Sequence, residues 1–263
     1  MSNSSLLSKF NAWIRKEFFE YRLLLESLPS IVVALFVISV ITMNLLANKT
    51  IVNLEYLAVD GGILVSWLSF LCMDIVTKHF GPKASTRLSI VAIFTNLIIS
   101  GIFFLISIIP GAWGTATDDA SNIAINDTFR GTWFVLLSST IAFLASAIIN
   151  NLMNYWVGKL FKKNPDGKLS FFVRTYVSTF FGQFFDNLIF ALLAFMVFAP
   201  IYWQFSWTFV QCLMCSLLGA GLELVFEIVF SPFGYMVVKS WERRGVGEKY
   251  ITYITSLKET EAK

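Results

Sequence analysis

The chain has 263 residues, of which 56% are hydrophobic and 14% charged, and its net charge is +3. Soluble domains carry about 25% charged residues, and one soluble core cannot hide this much apolar surface, so the composition excludes an ordinary water-soluble globule and makes lipid the solvent. The single histidine, His79, argues against a multi-histidine metal site or a haem. The three cysteines, Cys72, Cys212 and Cys215, fall in apolar segments and read as small buried residues rather than a disulfide framework or metal site.

Along the chain, a polar and basic arm comes first. Within it, Phe10, Trp13, Ile14 and Phe18 recur at helical spacing among Lys9, Arg15, Lys16 and Arg22, which predicts an amphipathic helix on the membrane surface over Ser2–Arg22. Six apolar spans follow: Leu28–Ala47, Tyr56–Val76, Leu88–Ile109, Trp133–Val157, Tyr176–Phe198 and Trp207–Val238. A helix needs about 20 residues to cross the hydrocarbon core. Backbone in lipid must satisfy its own hydrogen bonds, so these runs read as helices and not as barrel strands. The expected fold is all-α, a polytopic membrane protein of six transmembrane helices. The arm occupies residues 1–27, the transmembrane domain 28–238 and a basic tail 239–263. The connections are short except for a loop at Pro110–Arg130.

Lysine and arginine fix the expected orientation. Four lie in the arm, three between spans two and three, five between spans four and five, and six in the tail. Of the twenty, only Lys49 and Arg130 remain for the opposite side. The positive-inside rule then places both termini in the cytoplasm.

Charged residues inside the spans are few and unbalanced. Asp186 falls near the middle of span five. Glu223 and Glu227 fall near the middle of span six, four apart and so on one helix face. Each such carboxylate costs roughly 2.5–3.5 kcal/mol to insert, and no lysine or arginine lies at the same depth. They are protonated, or face a wet cavity, or meet a cation. In span five, Thr175, Thr179, Gln183, Asp186 and Phe190 recur in steps of three or four and so project to one side. Span four echoes this with Asn151 and Asn154, again three apart. Asp74 lies near the basic end of span two, where it either faces the same cavity or pairs with Lys78.

Two stretches carry a resemblance. "LSFLCMDIVTKHFGPKAS" and "RTYVSTFFGQFFDNLIF" resemble the second-helix and fifth-helix motifs of the queuosine precursor transporter family, known also as VUT-type vitamin uptake transporters. The matching residues are Asp74, Phe80, Gly81, Lys83 and Ala84 in the first. In the second they are Arg174, Ser178, Thr179, Gly182, Gln183, Asp186 and Phe190. "EIVFSPFGY" is similar to that family's closing Glu…Pro pattern at Glu227 and Pro232. Span four departs from the family, with Asn151 and Asn154 where Gln and Asp are usual, and Glu223 stands where a lysine is expected. The resemblance implies a bacterial inner-membrane carrier importing deazaguanine precursors of the modified tRNA base queuosine.

The residues themselves suit such a ligand. A flat heterocycle needs aromatic faces to stack on, and amides or carboxylates to meet its edge. Phe180–Phe190, Tyr155, Trp156, Trp67 and Phe70 are candidate faces. The substrate-binding set is Asp186, Gln183, Asn154, Asn151, Asp74, Glu227, Glu223, Phe190 and Thr179. No catalytic residue, metal or cofactor is expected, and no nucleic-acid partner. Partners are the bilayer and a small-molecule substrate; a coupling proton or cation and self-association are compatible. No G-x-x-x-x-G-K-[ST] sequence for ATP is present, so energy must come from an ion gradient or another subunit. Two other classes stay open: the substrate-binding membrane subunit of a larger vitamin importer, and an intramembrane enzyme using its carboxylates as acid and base.

Overall fold

A computed structural model of the chain describes residues 3–109, 120–160 and 168–261. In order these form α1 (Asn3–Ser27), α2 (Ser30–Leu46), β1 (Thr50–Asn53), β2 (Ala58–Asp60), α3 (Ile63–Phe80), α4 (Pro82–Ile108), α5 (Ala120–Leu160) and α6 (Lys168–Ala191). A π-helical stretch (Leu192–Phe198), α7 (Ala199–Tyr202), α8 (Phe209–Arg244) and α9 (Glu248–Glu261) complete the chain.

The protein is an all-α polytopic membrane protein. Among the described residues, five helical stretches are long and apolar enough to cross a bilayer: Ile63–Phe80, Pro82–Ile108, Asn122–Ser146, Thr179–Tyr202 and Phe209–Phe230. α1 and α2 together supply a sixth, bent by 105°. The bend falls at Pro29, the N-cap of α2. A proline there has no N–H to continue α1 and its fixed φ suits the start of a new helix. α2 has 17 residues, about 25 Å of helix.

Several boundaries differ from expectation: α4 opens at Pro82, α6 at Lys168, and α8 runs on to Arg244. The second span does not begin at Tyr56. Residues Thr50–Asp60 form a short antiparallel hairpin in which Thr50 pairs with Asp60, and the helix starts only at Ile63. The reason is local. Asp60 Oδ1 accepts a hydrogen bond from the Gly62 N–H at 2.7 Å, which turns the chain before the helix. Gly61 and Gly62 lie so close to the end of α2 that a Cβ would stand 2.8 Å from the Leu46 carbonyl oxygen and 2.7 Å from that of Met43. The hairpin is tied to α8 as well: Gln211 Nε2 donates to Asn53 Oδ1 at 3.1 Å and to the Leu54 carbonyl at 2.8 Å. The expected loop Pro110–Arg130 is also shorter than its composition suggested, because α5 begins at Ala120. Residues 110–119 lie outside the described part.

Three helices surround the middle of the molecule. α3 packs on α2, α4 and α8, and α6 packs on α5 and α8. At one end the terminal helices meet: α1 touches α9, with the Phe19 and Tyr253 rings edge to face at 5.4 Å. Beneath them sits a core that includes Leu24, Phe36, Val76, Leu88, Trp241 and Tyr250. The same end holds the sharp α3–α4 turn at Gly81, whose φ of +91° suits glycine alone, with Pro82 opening α4. The hairpin marks the opposite end, where Phe195 stacks on Trp207 at 3.9 Å. All three cysteines are free and buried, as their apolar surroundings in the sequence suggested.

Candidate functional site

α3, α6 and α8 frame two cavities, one above the other along the helix axes. The cavity toward the hairpin encloses about 600 Å³ of open space including its mouth. The one toward the terminal helices encloses about 520 Å³ measured the same way. Each helix changes cavity at the same level. On α3, Ile63 and Ser66 line the hairpin-side cavity, while Trp67, Asp74 and Lys78 line the other. On α6, Asp186, Asn187 and Phe190 face the first, and Thr179 and Gln183 the second. On α8, Cys215 and Gly219 line the first, and Phe226, Phe230 and Gly234 the second. Among the described residues, only Phe70 and Glu223 line both. They form the layer that divides the cavities.

The helix periodicity of span five explains this arrangement. Thr179, Gln183, Asp186 and Phe190 lie on one face, as their spacing predicted, but that face crosses the dividing layer. Its residues are shared between the two cavities.

The acceptors are held differently. Asp186 accepts a hydrogen bond from the Ser146 hydroxyl of α5 at 3.0 Å. Glu223 is buried, with 5% of its surface exposed, and accepts from Asn187 Nδ2 at 3.3 Å. Asn187 reaches it because Gly219 has no side chain; a Cβ there would stand 2.9 Å from Asn187 Nδ2. Gln183 is buried too, yet its Oε1 has no partner among the described residues. A buried orphan acceptor costs free energy until a donor meets it. Asp74 pairs with Lys78 at 3.5 Å and still lines the mouth of the second cavity. Asp74 thus pairs with Lys78 and lines the cavity that Thr179 and Gln183 share, not the one that holds Asp186. The pair is exposed and contributes little to stability.

Asp60, which the sequence reading did not single out, lines the hairpin-side cavity. It stands on the hairpin, outside the spanning helices. Burial pushes its carboxyl up to about 6, against the opposing hydrogen bond from the Gly62 N–H. Asn44 of α2, also missed, lines the same cavity and is itself buried, donating to the Val40 carbonyl at 3.0 Å. Asp60, Asp186 and Glu223 thus share one cavity whose described lining includes no lysine or arginine. Among the described residues, no three His, Cys, Asp or Glu side chains are placed to hold a metal ion. The aromatic side is supplied mainly by α3 and α8: Trp67 stacks on Phe230 at 4.6 Å and leans on Phe226 at 5.7 Å. Trp156, an expected stacking face, is exposed on the outside of the bundle instead. The side chains of Asn151, Asn154, Tyr155, Thr175 and Glu227 lie outside the described residues.

No curated protein and no solved structure matches the chain. A family model does, over residues 60–237, which takes in α3 and α6 entirely and α8 through Val237, the three helices that frame both cavities. By that match the chain belongs to the family described as "putative vitamin uptake transporter".

Proposed function

We propose that the protein imports a small planar heterocycle of the deazaguanine class, a precursor of queuosine, across the bacterial inner membrane, with both termini in the cytoplasm and an ion gradient supplying the energy. The observation that carries this reading is the pair of cavities meeting at one layer. A carrier must open its site to each side in turn, and two cavities separated by Phe70 and Glu223 fit that need.

The lining suits the ligand. The ring N–H and exocyclic amino groups of a guanine-like edge are donors. Asp186 and Gln183 Oε1, which has no partner among the described residues, are acceptors within one helical turn of the dividing layer. Trp67 and Phe70 offer faces on which a flat base can stack. Asp74 and Thr179 stand at the approach from the cytoplasmic side, and Phe190 at the approach from outside.

Direct binding of neutral and aminomethyl-bearing deazaguanines to the purified protein tests the reading. Micromolar binding that weakens in Asp186→Asn and Gln183→Leu supports it. Absence of binding to any purine-like base by well-folded protein contradicts it. Transport by the protein alone in liposomes, with no added subunit, separates a self-sufficient carrier from the binding subunit of a larger importer.

A further inference from the structure

We propose that Glu223 is the carboxylate that carries the coupling proton across the dividing layer. The inference rests on the transport reading above and assigns its energy coupling to one side chain. Glu223 is the single acidic residue, among those described, that lines both cavities. The other acidic groups are each confined to one side. Asp60 and Asp186 line the hairpin-side cavity only, and Asp74 lines the other only. A group that must take a proton from one side and release it to the other has to stand where both can reach it.

The surroundings of Glu223 fit that task. From α6 it meets Asn187, which donates to it, and Asp186 across the same cavity. From α3 it faces Ser66 on one side and, farther off, Asp74 with Lys78 on the other. From β2 comes Asp60, from α2 Asn44, from α5 Ser139, and from its own helix Cys215. The described lining therefore holds acids and neutral polar groups, with Lys78 its one basic side chain, already paired to Asp74.

The charge logic follows. An ionised Glu223 has the Asn187 amide and the Ser66 hydroxyl as donors and, among the described residues lining the hairpin-side cavity, no cation, so closing that cavity over it buries an uncompensated charge. Adding one proton to the carboxylate gives a neutral acid and removes that cost; no other bond forms or breaks. Protonation from the hairpin side thus permits closure there. Release of the proton to water in the other cavity restores the charge and resets the carrier. Proton and substrate move in the same direction.

The test uses the full chain in liposomes with a labelled deazaguanine. Two rates are read: accumulation driven by an acidic outside, and exchange of base at equal pH. Glu223→Gln is expected to lower the ratio of accumulation to exchange by about tenfold or more, with Glu223→Asp restoring part of it. Accumulation by Glu223→Gln at the wild-type ratio overturns the proposal. Loss of exchange as well, in correctly inserted protein, makes Glu223 a substrate ligand and also overturns it. A second measurement needs no substrate. Dicyclohexylcarbodiimide adds to a protonated carboxyl in apolar surroundings, the acid proton passing to its nitrogen as the carboxylate bonds to its carbon. Mass spectrometry of wild-type protein should find the adduct on Glu223, falling as pH rises and protected by a bound base. An adduct on Asp186 or Asp60 but not Glu223 moves the coupling site and overturns the assignment. Failure of the wild type to exchange any base contradicts the substrate reading instead, and the carbodiimide result then judges Glu223 separately.

Discussion

Arg87 is the best place to perturb the fold without touching either cavity. It opens the membrane part of α4, is almost fully buried, and ion-pairs with both Glu17 and Glu20 of α1. It also donates to the Tyr250 hydroxyl of α9 at 3.4 Å and lies over the Tyr21 ring at 5.3 Å. One side chain thus fastens both terminal helices to the bundle. In Arg87→Leu, Glu20 keeps a side chain only 5% exposed and loses its guanidinium, retaining only the half-exposed Lys16 ammonium at 3.9 Å. Breaking a buried pair from one side costs about 3–5 kcal/mol, because the buried charge loses its close counter-ion; Lys16, longer and half-exposed, offsets little of that. For a chain of this size that is a loss of roughly 10 °C in melting temperature. The assay is thermal unfolding of purified protein in detergent. The double variant Arg87→Leu/Glu20→Leu removes both charges and should recover most of the loss, whereas Glu17→Gln, half-exposed, should cost less than about 1 kcal/mol. An Arg87→Leu protein within a degree or two of wild type, or a double variant worse than the single, refutes the reasoning.

Three further outcomes follow from the site. Gln183→Leu should leave stability unchanged or raise it slightly, since it removes a buried acceptor that has no partner, yet weaken base binding; calorimetry on the same preparation reads both. Trp67→Ala should lower affinity by about 10–100-fold, the loss of about 1–3 kcal/mol of base stacking, and a titration with labelled base checks it. Asp60 gives a pH dependence. Its carboxyl in the folded protein is pushed up to about 6, above the unfolded value, so its contribution is fully present below pH ~4 and is lost as pH rises through about 6. The loss reaches about 3 kcal/mol, and melting curves between pH 4 and 7 should show a slope from this group that Asp60→Asn abolishes.

Much of the architecture could be read in the chain because lipid imposes a simple rule. Apolar runs of membrane length must be helices: α2 lies within the stretch expected of it, and α4, α5, α6 and α8 overlap theirs while running beyond them at one end or both. The N-terminal helix followed from the spacing of Phe10, Trp13, Ile14 and Phe18. What escaped reading was set by contacts distant in sequence. The hairpin depends on Thr50 meeting Asp60, and its glycines on the carbonyls of Met43 and Leu46. In an apolar window Ala58 and Val59 look like helix; only the run Asp60-Gly61-Gly62 marked a turn. Asp186 and Glu223 stood out because a carboxylate in a span is expensive. Ser146, Asn187 and Asn44 did not, since hydroxyls and amides are ordinary in membrane helices and their partners lie on other helices. The division into two cavities is a property of three helices together and has no signature in any one of them.

The central claim is transport of a deazaguanine base through the site around Asp186. Uptake of a labelled precursor into cells lacking both their own precursor synthesis and their own carrier tests it most directly, with wild-type protein beside Asp186→Asn. The account predicts accumulation with wild type and its loss in the inserted variant. Cells that take up no base while carrying well-inserted wild-type protein, or that take it up equally with Asp186→Asn, contradict it.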